Sequence, residues 1–276
     1  MEEQGAISKP VAAGASAAMA LLYVAILYAP TLVLRLPPPS SFKDFMMRRF
    51  ICAATSSFVS VVICFLILPP VEKLGSIIFT WRFGNSIGSY GEYALRSLLD
   101  WAISVVSSIL AWRNYVVAPL TEELVFRACM IPLLICGGFR INSVIFLCPL
   151  FFSLAHLNHF MEVYSRQNYN LIKSSLAVGF QLGYTLIFGS YASFLFIRTG
   201  HLLAPLVAHI SCNFMGLPVV FSRSKGIVSV AFLAGMVGFL WLLFPLTRPD
   251  LYNDRTNNCR CWHGYCSWSE PIKSSL

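Results

Sequence analysis

Three short clusters of ionisable or hydrogen-bonding residues lie inside long apolar stretches of this sequence, and their residue types suit hydrolysis. The first is Thr121-Glu122-Glu123-Leu124-Val125-Phe126-Arg127, set between Val116-Val117-Ala118-Pro119-Leu120 and Ala128-Cys129-Met130. On a helix, Glu123 and Arg127 stand four residues apart and can pair, which neutralises two of the three charges. Glu122 has no such partner and points about 100° away. Desolvation makes an unpaired carboxylate a stronger base, as activation of water near neutral pH requires. The same residues also fit a helix beginning at headgroup level, with Thr121 as N-cap and acids in the first turn. The second cluster is Phe152-Ser153-Leu154-Ala155-His156-Leu157-Asn158-His159. An imidazole at His156 can share a proton or bind a metal. Taken alone, a core histidine bonded to a carbonyl is the commoner arrangement, and His159, one turn on, reads as interfacial. In the third, His209-Ile210-Ser211-Cys212-Asn213, the spacing puts His209 and Asn213 on one helix face. Both can donate to an oxyanion developing on a carbonyl, or serve as interhelical hydrogen-bond glue.

A charge at mid-bilayer costs at least about 2.5–3.5 kcal/mol on insertion scales and normally faces a bundle interior or a wet cavity. One spare carboxylate, two imidazoles and one amide on three successive apolar stretches are most economically read as converging on one cavity. There Glu122 and His156 would activate a water, while His209 and Asn213 would hold the oxyanion. No cofactor is expected. A zinc site from the same Glu and His side chains remains open, since two His and one Glu are a known ligand set, but no His-Glu-x-x-His stands in the sequence.

The elements that must position these groups are membrane helices. Of 276 residues, 57% are hydrophobic and 12% charged, against about 45–50% and about 25% in soluble domains. Blocks long enough to span about 30 Å of hydrocarbon run at about 11–34, 50–68, 115–136, 141–157, 174–197, 201–221 and 227–246. An amphipathic block, 93–112, carries Arg96 and Asp100 and reads as lying along the interface or as an eighth span. The expected fold is all-α: a polytopic transmembrane bundle of about seven to eight helices around a central polar cavity. It forms one domain over 1–276, with a short polar segment 1–10, site-bearing helices at about 115–221 and a cysteine-containing tail 247–276. The net charge of +8 comes from bases placed mainly between apolar blocks, which indicates anionic lipid rather than nucleic acid. The loop bearing Arg35, Lys43, Arg48 and Arg49 against Asp44 is placed in the cytosol, with the N-terminus across the membrane. Cys52, Cys64, Cys129, Cys136, Cys148 and Cys212 lie in apolar blocks as small hydrophobes. Cys259, Cys261, His263 and Cys266 match no standard zinc spacing and read as a membrane-proximal tail.

With these residues placed, the sequence resembles the type II CAAX prenyl endopeptidases, the Ras-converting-enzyme group of the CAAX protease and bacteriocin-processing superfamily. That family carries Glu-Glu-x-x-x-Arg, Phe-x-x-x-His and His-x-x-x-Asn on separate membrane helices. Here these stand as Glu122-Glu123 with Arg127, Phe152 with His156, and His209 with Asn213. The likeness runs over roughly residues 11 to 260, with plant-like wording around the motifs. It implies a multi-pass endoplasmic-reticulum enzyme that removes the last three residues from farnesylated or geranylgeranylated CAAX proteins. It further implies Glu122 as base with His156, an oxyanion held by His209 and Asn213, and Arg127 as a site-shaping residue. Family members carry more apolar sequence before the glutamate helix than Pro69 to Trp112 supplies here. A non-catalytic binding or scaffold member is therefore the alternative, and a small transporter or proton relay a third reading. Phe126, Phe151 and Phe152 are candidates to line a lateral entrance for the prenyl chain.

Overall fold

The computed structural model describes residues 7–68, 107–216, 227–248 and 251, and every element among them is helical. Helix α1 (Lys9–Leu32) tightens to a 3₁₀ turn at Ile26–Tyr28. Helix α2 (Phe42–Ile67) starts at a Ser41 cap whose hydroxyl accepts from the Asp44 amide at 3.1 Å. Helix α3 (109–136) carries the glutamates, and α4 (Ile141–Ala155) ends in a 3₁₀ turn, His156–His159, before α5 (Phe160–Arg166). Helix α6 (Leu171–Thr199) is capped by the Asn170 side chain and closed by Gly200 at φ 68°. Helices α7 (Leu203–Met215) and α8 (Ile227–Leu246) complete the order.

Each of the seven long apolar blocks holds a helix, as the all-α bundle expected from the sequence requires. Among the described residues, α1, α2 and α6 are long and apolar enough to cross a membrane. A fourth arises if α4 and α5, bent by 47°, count as one broken span. Composition measures how apolar a block is but not where its helix is interrupted. Helix α7 is short, and α3 is interrupted twice. The 93–112 block lies outside the described residues except for its last turn, as does the cysteine tail.

Helix α3 explains how those interruptions are tolerated. It widens to π turns at Arg113–Val117 and Leu124–Cys129, each followed within a few residues by a proline, Pro119 and Pro132. Proline has no N–H to donate and crowds the carbonyl of the preceding turn, and the wider π register relieves that crowding. Side chains of neighbouring helices bond carbonyls of this interrupted helix. Asn114 O would look to residue 119 in the π register, but Pro119 cannot donate, and the Asn213 amide bonds it instead at 2.8 Å. The Cys148 thiol donates to Phe126 O, Cys64 to Cys129 O at 3.6 Å, and Ser57 to Thr121 O at 3.5 Å. Irregular backbone at membrane depth is stable only when buried in protein in this way. The buried cysteines thus act as weak donors as well as small apolar groups.

These contacts also fix helix directions. Residue pairs 57–121 and 64–129 keep nearly constant separation, so α2 runs parallel to α3. Ile7 N bonds Cys136 O at 3.1 Å, which sets α1 antiparallel to α3. Gly137 lies against Ala12 so closely that a Cβ there would overlap it. Helix α6 packs against α4 through Gly189, where an added Cβ would stand 2.8 Å from Pro149 Cβ and 3.3 Å from Arg127 Nη2. The fully buried centre of the bundle is the second half of α3: Val125, Phe126, Met130, Ile131, Leu133 and Leu134 all have no exposure. The end of α1 and the starts of α2 and α3 therefore meet at one end of the bundle, and the polar cluster lies there.

Candidate active site

Thr121, Glu122 and Glu123 occupy the α-helical segment Ala118–Glu123 between the two π turns. Thr121 is not an N-cap. Its hydroxyl donates back to Val117 O at 2.7 Å in mid-helix and accepts from Tyr23 Oη of α1 at 3.0 Å. The reading of this cluster as a helix start is thereby replaced, because α3 begins about three turns earlier. Glu123 and Arg127 pair as their spacing predicts, with Oε2 to Nε at 3.1 Å and both side chains fully buried. The guanidinium also lies over the Phe152 ring at 4.7 Å. Its Nη1 and Nη2 have no hydrogen-bond partner among the described residues.

Glu123 does more than neutralise the arginine. Its Oε1 accepts from His209 Nδ1 on α7 at 2.8 Å. On the other edge of that ring, His209 Nε2 stands 3.8 Å from Glu122 Oε2. The two glutamates, expected to diverge by their helical angle, thus converge on one imidazole, because α7 crosses α3 at this turn and inserts His209 between them. A carboxylate acting as acceptor fixes Nδ1 as the protonated nitrogen, and the second nitrogen faces Glu122. Glu122 keeps 16% side-chain exposure while Glu123 keeps none, so Glu122 is the carboxylate a substrate can reach.

Glu122 also lines a cavity of about 110 Å³ between α1, α2, α3 and the end of α4, and His156 lines the same cavity. His156 stands on the 3₁₀ turn that ends α4, its ring edge-on to Phe152 at 4.8 Å. Its Nδ1 bonds Phe152 O at 2.9 Å. A carbonyl only accepts, so Nδ1 is the donor in this bond. His156 thus takes the core-histidine arrangement while lining the cavity that Glu122 lines. Asn213, one turn beyond His209, is exposed and bonded to Asn114 O; it does not line this cavity.

Phe126 and Phe152 are 0% and 2% exposed, ring centroids 5.0 Å apart, and form the inner wall of the cavity rather than an entrance. Phe151 is partly buried against the core and absent from the cavity wall. The wall includes three polar residues that spacing did not assign to the site: Tyr23, Arg49 and Arg113. Tyr23 is a single tyrosine in an apolar helix and gave no periodic signal. The arginines read as ordinary membrane-flanking charges. Among the described residues no three His, Cys, Asp or Glu side chains are grouped so as to hold a metal ion.

This arrangement can be set beside known proteins. The model of the family "Type II CAAX prenyl endopeptidase Rce1-like" matches residues 101–215, which contain every residue of the cluster. An Arabidopsis thaliana protein named CAAX prenyl protease 2 is 50% identical over 304 aligned positions, covering 95% of this chain and 98% of the relative. The chain belongs to the type II CAAX prenyl endopeptidase family. A human protein of the same name is 48% identical over 145 residues, covering 51% of this chain and 44% of its own. One from Caenorhabditis elegans is 30% identical over 237 residues, covering 75% and 86%. No solved structure matches. The 304 aligned positions with the plant relative exceed the 276 residues of this chain. The alignment therefore bridges residues of that relative that this chain lacks.

Proposed function

We propose that the chain is a membrane endopeptidase that removes the C-terminal tripeptide from prenylated CAAX proteins, using water activated by Glu122 and His156. The observation that carries this reading is that Glu122 and His156 line one cavity while His209 bridges both glutamates from behind. Family membership supplies the reaction: the relatives are named as CAAX prenyl proteases.

In the proposed step, Glu122 takes a proton from water as its oxygen attacks the carbonyl of the prenylated cysteine, and His156 Nε2 orients that water. The C–O bond forms, the carbonyl electrons become an oxyanion, and the C–N bond then breaks. The proton held by Glu122 passes to the departing amine. His209 is the oxyanion donor from Nε2, held in orientation by Glu123 as a carboxylate holds a catalytic imidazole. Glu122, Glu123, Arg127 and His209 together carry no net charge only when His209 is protonated, the state that lets Nε2 donate. Asn213 contributes by tying α7 to the π turn at Asn114; any direct role at the oxyanion rests on the second hydrogen of its amide. No metal is assigned a role, since the side chains account for each proton.

The bilayer suits this substrate. A prenyl chain gains about 0.8 kcal/mol per buried methylene, so substrate is concentrated where the helices lie. Arg35, Lys43, Arg48 and Arg49, around the start of α2, favour the cytosolic face for the cavity end of the bundle, and the endoplasmic-reticulum membrane is the proposed location. Prenylated CAAX proteins are the proposed partners. The scaffold alternative rested on the short 69–112 stretch, but the residues of the site are all present. Purified protein in lipid nanodiscs, given a farnesylated peptide ending in a CAAX sequence, is expected to release the intact tripeptide, read by mass spectrometry. Binding without release would favour the scaffold.

A further inference from the structure

We propose that Arg49 and Arg113 form a subsite for the substrate's free C-terminal carboxylate, fixing the cleaved bond three residues from the chain end. This rests on the endopeptidase reading above and adds its register. Arg49 comes from the second turn of α2 and Arg113 from the first turns of α3. Both line the cavity that Glu122 and His156 line. Among the described residues neither pairs with a carboxylate: the ion pairs there are Arg127 with Glu123, Arg166 with Glu162, and His209 with the two glutamates. Arg49 is steadied on the Phe45 ring, 5.1 Å from its centroid, and is only partly exposed.

Arg113 is exposed, and two cations on the wall of one cavity, neither paired with a carboxylate among the described residues, suit an anion of the substrate. A peptide that loses its last three residues brings one, its terminal carboxylate. Without compensation that charge would be repelled by Glu122, which must stay ionised to act as base. Arginine matches a carboxylate with paired N–H donors in a way that lysine does not. The distances agree. Three extended residues span about 10 Å. Arg113 and Glu122 are nine residues apart, about 13 Å along a helix axis and less through a π turn, and the arginine side chain covers the remainder. An anchor at that distance explains how an endopeptidase counts from the end of a chain.

The test compares prenylated peptides ending in a free acid and in a carboxamide, on protein in nanodiscs. For wild type, kcat/KM is expected to be about 10- to 100-fold lower for the amide, the range of a hydrogen bond to a charged group. In Arg49→Gln and Arg113→Gln the acid-to-amide ratio is expected to fall toward one, and Arg113→Lys to retain part of it. A ratio is insensitive to how much protein survives the substitution. Wild type also supplies a readout without variants: free tripeptide acid should inhibit more strongly than its amide. Equal turnover of acid and amide by wild type overturns the subsite alone. A wild-type preference that both variants keep also overturns it, leaving the arginines as headgroup contacts. No turnover of either peptide overturns the endopeptidase reading, and the subsite with it.

Discussion

Glu122→Gln is expected to lower tripeptide release about 100- to 10,000-fold, the range for loss of a general base, with the protein still inserted and folded. Glutamine keeps the shape and hydrogen-bonding reach of the side chain but cannot take a proton from water. The fold should tolerate it, because Glu122 is the less buried of the two acids and its contact with His209 Nε2, at 3.8 Å, is the looser one. His156→Ala is expected to reduce release similarly, since the ring lines the cavity and is held there by the Nδ1 bond to Phe152 O. Tripeptide release at normalised protein level, with detergent-solubilised thermal unfolding as the folding control, checks both. Wild-type turnover in either variant would contradict the assignment.

Arg127→Met, in contrast, is expected to damage the fold itself. Removing one partner of a buried ion pair strands the other, at a cost of about 3–5 kcal/mol. Glu123 is fully buried, and only His209 would remain as its partner. The arginine also fills the space between Phe152 and Gly189. The double variant Glu123→Gln with Arg127→Met should recover much of the lost stability, because neutralising both members of a buried pair is often close to neutral. Its activity should nevertheless stay low, since a glutamine amide cannot stabilise an imidazolium at His209. Thermal unfolding of single and double variants reads the first effect and tripeptide release the second. A single variant as stable as wild type would mean that the charges are not buried together.

Comparison of these two glutamates shows what the sequence can convey. The Glu123–Arg127 pair is local, set by a four-residue helical spacing, and is legible without a fold. The Glu123–His209 bond joins residues 86 apart and depends on where α7 crosses α3; no periodicity carries that. Spacing placed His209 and Asn213 on one face, and they do share one. Yet Asn213 meets a carbonyl that Pro119 cannot satisfy, a partner visible only once the π turn is known. The helical class and the positions of the apolar blocks follow from composition. The breaks in α3 and the bend after α4 do not, because they arise from proline and from donors on neighbouring helices. Arg49 and Arg113 were hidden for a different reason: a bias toward bases at membrane edges already accounted for them.

Single-turnover cleavage in ¹⁸O-labelled water, with enzyme in excess over a farnesylated CAAX peptide, tests the central assignment most directly. If Glu122 activates water for direct attack, the new prenylcysteine carboxylate carries one ¹⁸O from the first turnover, and Glu122→Gln yields no comparable product. Unlabelled product in that first turnover, or labelled product formed at the wild-type rate by Glu122→Gln, would contradict it.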